Sequence, residues 1–145
     1  MEALLAELEP LLYGYNYQVF LRLYNVAFAP EAPAEWYITQ ALGPSVDIGG
    51  VVPATGPALL AEVEQSLRYA GDENSGPQSA ALRSSRFKAL VPAVLCELKQ
   101  AVAGASLVAQ FWLRDGHPAY PVFWDFAYVI ARPSGGLVFI GSSSD

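Results

Sequence analysis

Cysteine, histidine and methionine each occur once in this chain of 145 residues, and charged residues make up only 15% of it. The single Cys96 excludes an internal disulfide and a cysteine-based zinc site. The single His117 leaves no histidine cluster for a metal, and no cofactor is expected. Basic residues are scarce as well: eight Lys and Arg stand against fourteen Asp and Glu, a formal charge of −6. A field of that sign repels phosphate backbones and anionic lipid surfaces, so neither nucleic acid nor a membrane is an expected partner. No apolar run approaches the roughly 20 residues needed to cross a bilayer. The opening MEALLAELEPLL carries Glu2, Glu7 and Glu9 and no basic residue, unlike a secretory signal. The expectation is one cytoplasmic domain spanning 1–145.

What the chain holds in excess is apolar surface. Hydrophobic residues reach 53%, and twelve glycines add to them. With so little charge to cover its exterior, the folded domain is expected to keep an apolar patch that another surface covers. Twenty-two alanines also contribute to this bias.

Periodicity predicts helices near 2–13, 57–70 and 80–103. Pro57 and Gly71 bracket the second helix. Leu60, Val63 and Leu67 in that helix, and Phe87, Leu90, Val94 and Leu98 in the third, form apolar stripes. Pro92 is expected to kink the third helix or to open a new one. Alternation and aromatic or β-branched content predict strands over 15–26, 35–42, 106–114, 122–131 and 137–141. Residues 27–34 and 43–57 read as loops, the latter with at most a short extended piece. The polar GDENSGPQS (71–79) reads as a mobile linker, and the terminal GSSSD as frayed. The order α-β-β-α-α-β-β-β has no βαβ alternation. It predicts an α+β fold, with a mainly antiparallel sheet of about five strands against two or three helices.

Chemistry-bearing residues converge on RDGHPAYPVFWDFAYVI, Arg114 to Ile130. Asp115-Gly116 is a turn pair, and Pro118 and Pro121 cannot donate to a ladder, so His117 belongs on a loop. A histidine beside aspartates permits a small enzyme or ligand-binding domain built on His117, Asp115 and Asp125. No serine or reactive cysteine lies nearby in sequence, and Cys96 reads as a small buried hydrophobe in mid-helix. A solvated loop histidine and a structurally paired Asp125, with Arg114 or Arg132 as partner, are the simpler readings. Neither glycine-rich segment forms a strand-to-helix phosphate loop. If strands 106–114 and 122–131 pair symmetrically, Trp112 opposes Trp124, Gln110 opposes Phe126 and Arg114 opposes Val122. One sheet face then shows Trp112, Arg114, Trp124, Phe126 and Tyr128. Trp, Tyr and Arg dominate binding hot spots.

In length, acidity and class the chain resembles the immunity proteins that neutralise antibacterial toxins in bacteria; the resemblance extends to those three properties alone. It implies a non-catalytic protein-binding module that occludes the active site of a basic toxin or effector. The expected contact residues are Trp112, Arg114, Asp115, His117, Tyr120, Trp124 and Tyr128, with Asp72 and Glu73 as rim charges. A homodimer using the same aromatic face is the alternative within binding.

Overall fold

The computed structural model describes residues 1–72 and 74–145. Among them are five helices: α1 (Glu2–Leu11), α2 (Ala34–Leu42), α3 (Gly56–Leu67), α4 (Ser79–Arg83) and α5 (Ser85–Ala103). The strands are β1 (Gly14–Tyr15), β2 (Gln18–Val26), β3 (Asp47–Pro53), β4 (Gly76–Pro77), β5 (Leu107–Asp115), β6 (Trp124–Arg132) and β7 (Gly135–Ser144). Five of them form one antiparallel sheet in the order β2-β7-β6-β5-β3, while β1 and β4 make a two-stranded ribbon. The class is α+β, as the element pattern predicts. No helix of the described residues is long and apolar enough to cross a membrane.

The sheet is covered on both faces, not one. On the first face Phe126, Tyr128, Ile130, Leu137 and Phe139 meet α1, α3 and α5 through Leu5, Leu8, Val63, Leu67, Val94 and Leu98. The predicted stripes are therefore core, with only Leu60 left partly exposed at their margin. On the second face Ala109, Phe111, Val129, Val138 and Ile140 meet α2 through Ala34, Tyr37 and Ile38.

Residues 35–42 correct the expectation of a strand. Trp, Tyr, Ile and Thr there favour strands intrinsically, but Ala34, Tyr37, Ile38 and Ala41 recur at helical spacing. Burial of that stripe overrides propensity. The loop reading of 43–57 gives way as well, because residues 47–53 form the edge strand β3 beside β5. The described residues of the expected linker, 71–72 and 74–79, are anchored rather than free: Asp72 bridges Ser75, and Gly76 and Pro77 pair with Tyr15 and Gly14. Helix α5 passes through Pro92, and its start is set by Ser84, whose Oγ accepts from the Phe87 amide at 3.1 Å. Cys96 is exposed, not buried. It falls between Val94 and Leu98 and so on the opposite side of the helix from the core. The terminal serines do not fray either, since β7 runs to Ser144 and buries Ser142 and Ser143.

Four glycines leave room for aromatic rings packed on the backbone: Gly49 and Gly50 for Trp112, Gly136 for Tyr37 and Gly141 for Phe126. A side chain at Gly141 would meet the Phe126 ring, and one at Gly50 would meet the Trp112 indole, with contacts of 2.2 Å in each case.

Candidate functional site

Strands β5 and β6 pair over only four residues, Leu107–Gln110 against Tyr128–Ala131. Beyond Gln110 and Tyr128 they part: Phe111–Asp115 stay with β3, and Trp124–Ala127 stay with β7. The register is two residues away from symmetric pairing, so Trp112 does not face Trp124. The β3–β5 ladder has irregularities around Ile48, with Gly49 and Arg114 as the extra residues. Such bulges bend a strand pair and increase its twist. Pro118 and Pro121 in the connection add no ladder donors. The sheet therefore ends in a fork, with its mouth between the two halves.

The fork mouth holds a cleft of about 380 Å³. Its walls are Trp112, Tyr120, His117, Asp115 and Asp125, with Ala127 at the base. Trp112 is 48% exposed, Tyr120 83% and the neighbouring Val122 49%. The Trp112 ring rests against Gly49 and Gly50 of β3, which explains why that edge strand carries a glycine pair.

The polar groups are arranged around this opening. Asp115 Oδ1 accepts from the Gly116 amide at 2.7 Å and closes the turn. Arg114 leans away towards β3: its Nη2 donates to the Ile48 carbonyl at 3.2 Å, and its Nε lies 3.4 Å from Asp47. Asp125 is exposed and has neither expected arginine partner, because Arg114 engages Asp47 and Arg132 sits at the far end of β6. The His117 Nδ1 accepts from the Ala119 amide at 3.0 Å, which leaves the proton of the neutral ring on Nε2. That Nε2 is buried without a partner. An unpaired buried donor costs about 1–3 kcal/mol. Burial holds the imidazole pKa below its usual value, although Asp125 acts in the other direction.

A second cleft of about 350 Å³ adjoins the first and shares Asp125. It is lined by Glu62, Gln65, Ser66, Tyr69, Phe123 and Trp124. Trp124 is half-buried: its ring stacks on Phe126 at 5.9 Å, and its Nε1 donates to the Tyr17 hydroxyl at 2.7 Å. Tyr69 stacks on Tyr17 at 6.1 Å and lies 6.2 Å from Phe123. The Asp72 carboxylate engages the Tyr69 hydroxyl, and with burial it pushes that pKa up to about 12. Asp72 is thus at the rim of this second cleft, while Glu73 lies outside the described residues.

At the root of the fork, Glu62 of α3 ties the last β5–β6 pair. The Tyr128 hydroxyl donates to Glu62, and Gln110 Nε2 donates to both carboxylate oxygens at 3.1 and 3.2 Å. Tyr128 is 2% exposed, so its ring is core and not contact surface. Of the expected contact residues, the structure gathers Trp112, Arg114, Asp115, His117 and Tyr120 at the first cleft, with Trp124 and Asp72 at the second. Glu62, Tyr69, Phe123 and Asp47 join them without having been singled out in sequence. The helical position of Glu62, on the side of α3 that meets the sheet, was the one available signal.

These tyrosines make alkaline pH a probe of the fork. The Tyr128 pKa is raised first by burial and then by Glu62; burial raises that of Tyr17. In the unfolded chain both ionise near pH ~10. Above that value the unfolded state binds fewer protons than the folded one. Stability is therefore full below pH ~10 and falls as pH rises towards the raised folded pKa values. Tyrosinate absorbance from these two residues is expected to appear together with the loss of circular dichroism. Ionisation of all eight tyrosines with the fold intact would contradict this environment.

Among the described residues no group of three His, Cys, Asp or Glu side chains is placed to hold a metal. The first cleft has no Ser, Thr or Cys in its lining, and no hydroxyl or thiol hydrogen-bonds to His117 among the described residues. No known family model, curated protein or solved structure matches the chain.

Proposed function

We propose that this chain is a non-catalytic protein-binding module that acts in the cytoplasm and occludes a basic partner with the forked end of its sheet. An immunity-type protein that neutralises a bacterial toxin is the form of such a module that we favour. The observation that carries the reading is the placement of Trp112, Tyr120 and Val122. All three are exposed; Trp112 and Tyr120 line the cleft where the sheet opens, and Val122 follows its lining residue Pro121 in the chain. Aromatic anchors around a preformed concavity have the anatomy of a binding hot spot.

Charge distribution supports a basic partner. Asp47, Asp72, Asp115, Asp125 and Glu62 surround the two clefts, and Arg114 is the one cation that lines either of them among the described residues. Such asymmetry steers a cationic surface into place. The hydrogen bonds of Asp115 and His117 and the prolines of the loop fix the rim in advance, which lowers the ordering cost of association.

The test is co-purification with the product of the adjacent reading frame, using the wild type and a Trp112→Ala, Tyr120→Ala variant. The wild type is expected to retain the partner, and the variant to lose it while keeping its melting temperature. A wild-type chain that retains nothing and sediments as a monomer overturns the reading. One that retains nothing and sediments as a dimer, lost in the variant, replaces it with self-association through the same surface.

A further inference from the structure

The first cleft is too small for a folded element and has contradictory-looking walls: aromatic rings, two carboxylates and a buried N–H donor. We propose that it is the pocket for one arginine side chain of the partner, inserted between Trp112 and Tyr120. This rests on the reading of the fork mouth as the contact surface and names what enters it.

Each wall matches one part of such an occupant. A volume of about 380 Å³ lies at the lower end of the range for ligand sites and suits a single long side chain. Trp112, held flat by Gly49 and Gly50, offers a rigid face to a planar cation. A guanidinium stacks on such a face and has a fork of donors, which an ammonium lacks. Asp115 and Asp125 stand in the same walls, and no cation is paired with either among the described residues. Arg114 does not neutralise them, because its guanidinium is turned to Asp47 and the Ile48 carbonyl. His117 supplies the independent constraint. Its Nε2–H is unpaired and closed off from solvent in the free chain, so an occupant that turns the imidazole outward can satisfy it by bringing an acceptor. A main-chain carbonyl beside the inserted side chain meets that need, whereas a free guanidinium or a metal cation does not. The occupant is therefore a peptide-borne arginine.

The experiment is a titration of the isotope-labelled whole chain by N-acetyl-arginine amide, followed by nitrogen–proton correlation spectra. The neutral citrulline amide is the control: it has nearly the same shape and the same main-chain carbonyls, a ureido oxygen in place of one guanidinium nitrogen, and no charge. Saturable shifts are expected at the Trp112 indole N–H and at the Gly116 and His117 amides, and the citrulline analogue is expected to bind about tenfold more weakly or worse. Asp115→Asn and Asp125→Asn are each expected to weaken the arginine analogue by about tenfold, in chains whose spectra remain folded. Equal binding of the two analogues, shifts outside the cleft, or no shifts at all overturn the pocket. If the pocket fails while the Trp112→Ala, Tyr120→Ala variant still loses the partner, the contact surface stands and only the arginine assignment falls.

Discussion

Replacing Phe126 with alanine is expected to cost about 3–5 kcal/mol, a large part of the roughly 5–15 kcal/mol that keeps a domain of this size folded. The ring is 2% exposed and holds together three parts of the structure. It lies over Gly141 of β7, which has no side chain and cannot fill the space left behind. It meets Phe139 at 4.9 Å inside the main core. It is also the platform on which Trp124 stacks with the ring planes 5° apart. Truncation therefore leaves a cavity and releases a wall of the second cleft at once. Urea denaturation measures it: the midpoint should fall sharply with an unchanged slope. Phe126→Leu should recover much of the loss, because it refills part of the volume. A Phe126→Ala chain with nearly wild-type stability would show that this end of the sheet is not packed as described.

Trp112→Ala has the opposite signature. The ring is half in solvent, so its removal should change the melting temperature little. Binding is where the effect is expected, with a loss of about 2 kcal/mol or more, roughly a 30-fold rise in Kd. Gly50→Val is the complementary variant. It leaves the indole in place chemically but drives a side chain into its seat, 2.2 Å from the ring. Affinity should fall in that variant too, through displacement of the anchor rather than its loss. Calorimetric titration of both variants against the partner separates the two effects. Unchanged affinity in both would remove Trp112 from the contact.

Much of this was legible in the chain. The apolar stripes of α3 and α5 and the alternation along β2 and β6 record burial directly, and burial organises the fold. The fork was not legible, because it depends on register. Pairing symmetric about the 116–121 turn is the default, whereas the observed β5–β6 register is shifted by two residues and Phe111–Asp115 pair instead with a third strand through bulges at Gly49 and Arg114. Phe126 and Tyr128 lie under helices, while Trp112, on the same face, is exposed beyond the last β5–β6 pair. The strand pattern predicts a paired Asp125, because alternation puts it on the same face as Ala127 and Val129. It sits past the end of the covered zone, where water solvates it. Helix α2 has no clear sequence signal because local propensity and tertiary burial disagree there. His117 was placed correctly on a loop, but its tautomer and its unpaired Nε2 come from the Ala119 contact, which has no sequence signature.

The central claim is that the open end of the sheet is the surface that meets the partner. Hydrogen–deuterium exchange of the chain, alone and bound to its co-purified partner, tests it most directly. The account predicts slowed exchange concentrated in residues 111–125 and in β3 near Gly49 and Gly50, with α1, α4 and the outer edge of β2 unchanged. Protection centred on α1 and β2, with the fork mouth exchanging as fast as in the free chain, would contradict it.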